Sequence, residues 1–410
     1  MAFLATLGML VLYASLFILV FGVPWAIYYD QTRIHIPPGI KHPGKLRLYH
    51  AILRFLGFWA IMCEKLGICH RYKALVTFYR AIPLKKSSAL IIKNLLFEDI
   101  PVRVYWPKAT SSGNRKGVVV ISGGAGLFGN INMSDSHCCY IAETTDSVVV
   151  CIRFRLAPDH PFPIPVMDCC TATIHFLKNA EDYGVDPNRI AVYGESSGGT
   201  FATAVCQHLA TKKDLPKLRG QVLIHPFLQA IDFNLPSYQQ NHSVPILFKK
   251  RALMFGTMYL IGKRINVEGL MKNAHVPKHL WAKYRKWINP DYIPEEFKAG
   301  GYVPMDPAPF SQELYEICKE CINPMFAPLL AEDDIIRQLP KTFLLTCEYD
   351  TVRDDGLLYK KRLEDNGVPV TWHHIKEGFH GITYGFGNRI LEYPTLRSHF
   401  QHVICFLNNL

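Results

Sequence analysis

One serine in this chain stands in a setting suited to covalent chemistry. Residues 194–198 (GESSG) follow an apolar stretch at 190–193 (IAVY) and precede a helix-forming stretch that continues from Phe201. This G-x-S-x-G pattern between a strand and a helix is typical of a sharp turn that pushes the serine hydroxyl out of the backbone. Glycine is needed two positions to either side because the strand and the helix pass too close there for a side chain. The pattern therefore predicts that Ser196 is a nucleophile.

A serine hydroxyl reacts poorly without a histidine that takes its proton and an acid that orients the histidine. In chains with this turn the acid and then the histidine follow the serine, each on a loop after a strand. Asp350 meets the condition for the acid because it lies just past the predicted strand 342–346. The acids around it, Glu348, Asp354, Asp355 and Glu364, are consistent with a solvated loop. Asp354 or Asp355 also fits the N-cap of the helix that follows.

His380 is the candidate base. It lies within residues 377–381 (EGFHG), just after the predicted strand 368–375. The chain has 17 histidines, and His373 and His374 are the nearest rivals. Both fall inside that strand, where consecutive side chains point to opposite faces of the sheet. Position along the chain therefore favours His380 and leaves the other two as alternatives.

The oxygen that becomes negative when a serine attacks a carbonyl group needs backbone N–H donors held in place. The N–H of Ser197 is one, because it follows the nucleophile. The others are expected from a glycine turn after an early strand, where this chain has residues 122–125 (SGGA). We therefore assign Ser122, Gly123, Gly124 and Ser197 to an oxyanion hole. The usual turn is H-G-G-G, so a serine stands where a histidine is expected.

Alternating strands and helices must position these residues. Strands are predicted at 118–121, 147–154, 190–193, 221–225, 342–346 and 368–375, and helices at 166–180, 355–366 and 396–407. This alternation favours an α/β fold with a mostly parallel sheet flanked by helices. It stops over about residues 231–331, which we interpret as a helical cap insertion. Residues 96–410 are then the catalytic domain, and residues 30–95 a linker and the N-terminal part of the cap.

The N-terminal segment predicts membrane attachment. Residues 1–29 contain no charged side chain, and residues 4–27 are nearly all apolar. This stretch exceeds the roughly 20 residues that cross a bilayer and the core of a cleavable signal peptide. We therefore expect an uncleaved signal-anchor transmembrane helix, with membrane lipid as a partner. Basic residues after the segment favour a cytosolic domain, whereas the glycosylation sequons at Asn132 and Asn241 favour a lumenal one.

Composition limits the class of protein further. Of 410 residues, 49% are apolar and 19% charged, which suits a globular chain with a membrane element. The net charge of +11 suits a surface near anionic lipid. No basic run interleaved with aromatic residues is present, which argues against nucleic-acid binding. The twelve cysteines form no regular framework, so we interpret most of them, including the pair Cys318 and Cys321, as structural.

No metal and no organic cofactor is expected, because we identify no H-E-x-x-H metal motif and no G-x-G-x-x-G dinucleotide-binding motif after the first strand. The composition does not indicate an oligomeric state.

Taken together, the motifs resemble the arylacetamide deacetylase-like proteins in the hormone-sensitive-lipase branch of the α/β-hydrolases. The resemblance rests on residues 194–199 (GESSGG), 154–163 (FRLAPDHPFP) and 378–381 (GFHG), on Asp350 in a D-x-x-R-D pattern, and on the N-terminal anchor. It covers nearly the whole chain. The resemblance implies an α/β-hydrolase fold in which Ser196, Asp350 and His380 are nucleophile, orienting acid and base.

The resemblance also implies an activity and a compartment. It implies a membrane-anchored serine carboxylesterase or lipase-type hydrolase that acts on lipophilic esters. The protein would be a single-pass type II membrane glycoprotein of the endoplasmic reticulum with a lumenal catalytic domain.

The chain departs from the family pattern in two places, and the second, S-G-G-A in place of H-G-G-G, leaves an alternative open. The usual elbow is G-D-S-A-G-G, so Glu195 and Ser197 vary it mildly. In the family, the histidine of H-G-G-G helps to hold the oxyanion loop, and here that residue is Ser122. Plant hormone receptors related to this branch keep the fold and bind a small molecule without hydrolysing it. A catalytically weak or inactive ligand-binding protein is therefore the alternative, although the Ser, Asp and His candidates are all present.

Overall fold

The computed structural model describes residues 36–410 and, before them, six single positions: Met9, Tyr13, Val20, Phe21, Trp25 and Tyr28. The predicted signal-anchor helix over residues 1–29 therefore lies outside the described residues apart from these positions, and it stays a prediction.

Among the described residues, helix α1 (Pro43–Lys65) is long and apolar enough, by length and composition alone, to cross a membrane. It is a different segment from the predicted anchor and belongs to the range assigned to the linker and cap. One side of α1 packs on the domain through Leu46, Leu56 and Ala60. The other side exposes large apolar side chains, namely Leu48, Phe55, Phe58, Trp59 and Met62. Helix α2 (Arg71–Arg80) packs against α1 and forms a hairpin with it.

Within residues 36–410, eight strands, numbered in chain order, form one sheet in the order β1-β2-β4-β3-β5-β6-β7-β8. Their bounds are β1 (Leu90–Phe97), β2 (Ile100–Pro107), β3 (Arg115–Ile121), β4 (Val148–Ile152), β5 (Val185–Glu195), β6 (Gly220–Ile224), β7 (Lys341–Tyr349) and β8 (Val370–Phe379). The pairs β1–β2 and β2–β4 are antiparallel, and the other five neighbouring pairs are parallel. The predicted α/β fold with a mostly parallel sheet is confirmed.

The hairpin of β1 and β2 was not predicted. Glu98 and Asp99 connect the two strands, and both have positive φ, 50° and 65°, as a two-residue type I′ turn requires. The usual sequence signal for such a turn is Asn-Gly or Asp-Gly, which is missing here. Because β1 begins at Leu90, the predicted boundary between residues 95 and 96 cuts through a strand, and the sheet begins earlier than expected.

Helices cover both faces of the sheet. Helices α3 (Ile131–Thr145) and α12 (Leu396–Asn408) pack on one face, and α4 (Ile164–Lys178), α5 (Ser197–Ala210) and α11 (Arg353–Asp365) pack on the other. The side chains of β3 alternate between these two layers: Val119 and Ile121 join one core, and Val118 and Val120 join the other. Central strands buried on both faces explain the continuous apolar runs in the sequence.

Residues 225–340 contain no strand. They form five helices, α6 (Pro236–Gln240), α7 (Lys249–Ile261), α8 (Lys278–Tyr284), α9 (Gln312–Cys318) and α10 (Asp333–Ile336), together with several 3₁₀ turns. The predicted cap insertion at about 231–331 lies within this stretch. Residues from α1, α2 and α7 line one common cavity, which places both parts of the predicted cap around the same space.

Candidate active site

Ser196 lies in the turn between β5 and α5. Its backbone angles, φ 53° and ψ −122°, fall in a region that a residue with a side chain rarely adopts. A side chain on Gly194 would overlap the backbone of Gly198, and one on Gly198 would overlap the carbonyl oxygen of Ile121. Both glycines are therefore required by close approach of the backbone, as the motif predicts.

The structure brings the three predicted catalytic side chains together. Ser196 Oγ lies 2.8 Å from His380 Nε2, and His380 Nδ1 lies 3.0 Å and 2.9 Å from the two carboxylate oxygens of Asp350. Asp350 and His380 are both buried. Asp350 also accepts a hydrogen bond from the backbone N–H of Val352, at 3.0 Å, which fixes its carboxylate.

Sheet register explains why residues 30 positions apart meet. Strands β7 and β8 are parallel neighbours, and Tyr349 is paired with Phe379 at their carboxyl ends. Asp350 and His380 are the next residues along each strand, so both leave the sheet at the same edge. Ser196 follows β5 at that edge as well, because the carboxyl ends of parallel strands share one side of a sheet.

The rival histidines lie elsewhere. His373 Nε2 is 2.9 Å from His399 Nδ1, and His374 lies between Thr346 and Glu348, at 2.9 Å from each. Both belong to β8, as predicted.

Of the four acids near Asp350, Asp354 and Asp355 do not lie in a solvated loop. Asp354 and Asp355 are fully buried, and the N-cap position of α11 is Val352, so the predicted N-cap role of these acids is wrong. Asp354 accepts a hydrogen bond from the N–H of Ser237, and Asp355 accepts from the N–H of Leu228. Burial raises the pKa of Asp355 to about 7, although the hydrogen bond from the N–H of Leu228 acts to lower it. The two carboxylates attach the start of the cap insertion to α11.

The predicted oxyanion loop follows β3. A side chain on Gly123 would lie 2.8 Å from the carbonyl oxygen of Glu195 and 3.1 Å from the hydroxyl of Tyr384, so this loop passes directly beside the nucleophile turn. Gly124 has a φ of 105°, which favours glycine. Within residues 36–410, the backbone N–H groups of Gly123 and Gly124 have no acceptor. The N–H of Ser197 belongs to the first turn of α5, where helices leave N–H groups free.

Ser122 holds this loop from below. Its side chain is fully buried, and its hydroxyl donates to the carbonyl oxygen of Asn130 at 3.0 Å. The hydroxyl of Ser134 lies 2.9 Å from the same oxygen of Ser122. Since the hydrogen of Ser122 goes to Asn130, Ser134 is the donor in the second contact. A serine thus occupies the position of the expected histidine and ties the two ends of the loop together.

His225 was not among the predicted site residues. It follows β6, its ring centroid lies 4.6 Å from that of His380, and its Nε2 lies 3.3 Å from Thr383 Oγ1. Burial, and then the neighbouring His380, hold the pKa of His225 well below its usual range. His225 is therefore neutral and does not oppose a positive charge on His380. The sequence could have indicated His225 as a site residue, because it lies at the carboxyl end of a predicted strand, much as Asp350 and His380 lie just past theirs.

Tyr384 was also not predicted. It lines the same cavity as Ser196 and His380, and its hydroxyl lies beside the Gly123 position. Burial raises the pKa of Tyr384, and its interaction with the Ser196 side chain opposes that rise. A neutral tyrosine hydroxyl next to Ser196 can donate a hydrogen bond, so Tyr384 adds a donor to this side of the site.

The distances within one set of side chains at the site would allow them to bind a metal ion. His225, Asp350 and His380 offer ligand atoms that lie within 4.8 Å of one another. Both ring nitrogens of His380 are already engaged by Ser196 and Asp350. A metal ion on these residues would therefore replace the hydrogen bonds of the candidate base.

Residues 124–129 (GAGLFG), which follow β3, do have G-x-G-x-x-G spacing, so that part of the sequence argument against an organic cofactor is wrong. In the structure Leu127 is buried, a side chain on Gly126 would meet the ring of Tyr259, and one on Gly129 would meet the ring of Phe154. The protein's own side chains fill the space beside these glycines, so the spacing serves close packing.

Ser196 lies on the walls of two cavities. The larger has a volume of about 450 Å³ and is bordered by α1, α2 and α7 as well as by His380 and Tyr384. The smaller has a volume of about 60 Å³ and is lined mainly by aromatic and aliphatic side chains, including Phe201, Phe227 and Phe326.

The two predicted glycosylation sites differ in exposure. Asn241 is buried, and its amide donates to the carbonyl oxygens of Glu348 and Asp350 at 3.0 Å each. A glycan on Asn241 would break these hydrogen bonds and occupy the interior, so the prediction at this residue does not fit the fold. Asn132 is partly exposed, and its amide donates to the carbonyl oxygens of Arg80 and Ile82.

The twelve cysteines are all free, and ten of them are buried. Burial raises the pKa of Cys318 to about 11 and the pKa of Cys321 further, which makes both thiols unreactive. This agrees with the structural role predicted for the pair.

Fold and site together define a class. The chain belongs to the α/β-hydrolase fold family, whose model matches residues 118–274 and 295–384. Within this family its relatives include the human arylacetamide deacetylase-like 4, which is 41% identical over 98% of this chain and 99% of its own length. Bovine arylacetamide deacetylase is 36% identical over 88% of this chain and 92% of its own length. The predicted resemblance to arylacetamide deacetylase-like proteins is confirmed.

Solved structures give the same fold. A thermostable esterase from Pseudomonas putida covers 92% of this chain and 98% of its own, with a TM-score of 0.60 at 19% identity. A structure described as bacterial heroin esterase covers 82% and 89%, with a TM-score of 0.60 at 23% identity.

Proposed function

We propose that this protein is a membrane-anchored serine hydrolase that cleaves lipophilic carboxylic esters through an acyl-enzyme. The observation that carries the proposal is the continuous hydrogen-bonded chain from Ser196 through His380 to Asp350. Relatives named as esterases and deacetylases support the reaction class.

The chemistry follows from these contacts. Ser196 Oγ forms a bond to the substrate carbonyl carbon while His380 Nε2 takes the serine proton. Asp350 holds the histidine tautomer whose Nε2 faces the serine and stabilises the imidazolium that results. The backbone N–H groups of Gly123, Gly124 and Ser197 receive the negative oxygen.

The ester carbon–oxygen bond then breaks, and His380 returns the proton to the departing alcohol. Water repeats the sequence on the acyl-enzyme and releases the acid and free Ser196.

The cavities support lipophilic substrates. The 450 Å³ cavity has room for a large group of the ester, whereas the aromatic 60 Å³ cavity suits a short one. Helix α1 forms part of the larger cavity and exposes Phe55, Phe58 and Trp59 on its other side. Such a helix suits contact with the membrane to which residues 1–29 would anchor the chain.

The proposed compartment is the lumen of the endoplasmic reticulum, with the chain in type II orientation. The partly exposed sequon at Asn132 supports a lumenal catalytic domain.

The test is covalent labelling of the full-length protein in membranes. A fluorophosphonate probe and 4-nitrophenyl acetate are given to the wild type, to Ser196→Ala and to Ser398→Ala, a change on the exposed side of α12. Labelling and turnover are expected in the wild type and in Ser398→Ala and are expected to vanish in Ser196→Ala. A folded wild-type protein that neither labels nor turns over the ester would refute the enzyme and favour a ligand-binding protein.

A further inference from the structure

The larger cavity carries an unbalanced charge. Its wall includes four cationic side chains, Arg71, Lys250, Arg251 and Arg264, and no Asp or Glu among the described residues that line it. Two of the four are neutralised from outside the wall: Arg71 pairs with Glu64, and Lys250 lies 2.6 Å from Glu268. The other two have no carboxylate partner among residues 36–410, although the side chain of Arg264 interacts with Tyr72.

Arg251 is the cation that the surroundings favour least. It is half-buried, and one guanidinium nitrogen donates to the carbonyl oxygen of Ile246 at 2.9 Å. The guanidinium carbon lies 4.7 Å from the ring centroid of Phe248. Burial, and then the charge of Arg54, lower the pKa of Arg251. Buried charges are normally paired, so a guanidinium on a cavity wall without a carboxylate is placed to meet an anion that enters the cavity.

The position of Arg251 links it to the catalytic histidine. Ile246, whose carbonyl oxygen holds the guanidinium, lies beside Gly381, the residue after His380: a side chain on Gly381 would come within 3.5 Å of Ile246. Ile246 has a φ of 83°, which is rare for a β-branched residue and is kept only where the surroundings impose it. The carbonyl that accepts from Arg251 therefore belongs to a residue beside the one that follows His380, which holds the guanidinium on the cavity wall that this histidine shares.

We propose that Arg251 binds a carboxylate or phosphate group carried by the ester substrate, with Arg264 as a second cation on the same wall. This inference rests on the proposed hydrolase function and narrows its substrates to anionic amphiphiles: the apolar part occupies the space between α1, α2 and α7, and the anion pairs with Arg251. Guanidinium is suited to this role because its fork of N–H groups matches both anions.

The first experiment compares anionic esters with neutral analogues of similar size. 4-Acetoxybenzoate carries its anion on the leaving group, and methyl 4-acetoxybenzoate is its neutral match. Mono-(4-nitrophenyl) glutarate carries its anion on the acyl group, and 4-nitrophenyl butyrate is the neutral comparison. The full-length wild type is expected to prefer the anionic member of at least one pair in kcat/KM, and the pair that shows the preference identifies the side of the ester that bears the anion.

Variants assign that preference to Arg251. Arg251→Gln is expected to lower kcat/KM for the preferred anionic substrate by about 10–100-fold, the range for loss of a hydrogen bond to a charged group, and to leave the neutral partner nearly unchanged. For the same anionic substrate, kcat/KM of Arg251→Lys, which keeps the charge, should lie between the values of the wild type and of Arg251→Gln. Arg337→Gln removes an exposed arginine outside the cavity and should keep the full preference. Fluorophosphonate labelling of each variant checks that the site has folded.

A binding arm separates this inference from the hydrolase proposal. Ser196→Ala and the double variant Ser196→Ala/Arg251→Gln are titrated with 4-dodecyloxybenzoate and with its methyl ester, and tryptophan fluorescence is followed. Tighter binding of the carboxylate that disappears in the double variant supports the anion site, even if the wild type hydrolyses no ester. Equal affinity for the two compounds, or a preference that survives Arg251→Gln, overturns it.

Discussion

The hydroxyl of Ser122 donates to the backbone carbonyl of Asn130 at 3.0 Å and thereby closes the loop that carries the predicted oxyanion donors. The contact is fully buried, so water does not compete for this hydrogen bond. A serine here reaches the far end of the loop directly, and a missing histidine does not by itself leave the loop loose.

Ser122→Ala should therefore weaken transition-state stabilisation. We expect a fall in kcat of roughly 10-fold with KM little changed, which is less than the 10²–10³-fold for loss of an oxyanion donor itself because only the support of the loop is removed. Steady-state kinetics with an aryl ester measure it. Restoring a histidine with Ser122→His should not raise kcat, because the larger ring would overpack a fully buried site and lower stability by about 1–3 kcal/mol. A faster Ser122→His enzyme would contradict this account.

Tyr384→Phe tests the hydroxyl beside the nucleophile. The change keeps the ring and removes one donor, so we expect kcat to fall roughly 10-fold while fluorophosphonate labelling persists at a lower rate. Tyr393→Phe is the matched control, since the Tyr393 hydroxyl is buried with no hydrogen-bond partner in the described part of the chain. If the two variants behave alike, the Tyr384 hydroxyl has no part in the reaction.

Acid should destabilise the cap insertion through His275. Burial lowers the pKa of His275 to about 4, against the hydrogen bond that its Nε2 makes with the carbonyl oxygen of Ala230. Between that value and the ordinary histidine pKa of about 6.5 the unfolded chain binds a proton that the folded chain does not. The contribution of neutral His275 to the free energy of unfolding is thus complete above pH 6.5 and is lost as the pH falls towards 4.

Denaturant unfolding of the detergent-solubilised protein at several pH values measures this effect. His275→Gln should reduce the pH dependence of the free energy of unfolding between pH 4 and 6.5 by up to about 1.4 kcal/mol per pH unit, the value for one proton. His279→Gln, at an exposed position, should leave the dependence as it is. An unchanged slope in His275→Gln would assign the acid sensitivity to other groups.

Glycosylation should depend on Asn132 alone. If the domain lies in the lumen, a glycosidase should shift the wild type and Asn241→Gln on a denaturing gel and leave Asn132→Gln unshifted. Asn241→Gln should instead lower stability, because two buried hydrogen bonds to the loop of Asp350 are altered. A protein with no shift, and with its catalytic domain accessible to cytosolic protease, would refute the lumenal orientation.

Much of the architecture could be predicted because its signals are local. Apolar runs such as residues 118–121 and 342–346 identify buried strands. The glycines around Ser196 indicate a turn in which the backbone leaves no room for side chains. The order of Asp350 and His380 after their strands is also readable along the chain. The hairpin of β1 and β2 was missed because its turn, Glu98-Asp99, lacks the usual residues.

The sequence by itself determined the α/β fold, the nucleophile turn and the three candidate catalytic side chains, because each depends on residue type and spacing along the chain. Only the tertiary structure decided which polar groups are buried and what they meet. Burial argues against a glycan at Asn241, and it accompanies the hydrogen bonds by which Asp354 and Asp355 attach the cap insertion to α11. Contacts between distant segments bring His225 and Tyr384 to the site, tie Ser122 to Asn130 and leave Arg251 without a carboxylate partner among residues 36–410. Solvent exposure and long-range pairing depend on how separate elements pack, and no local pattern records them.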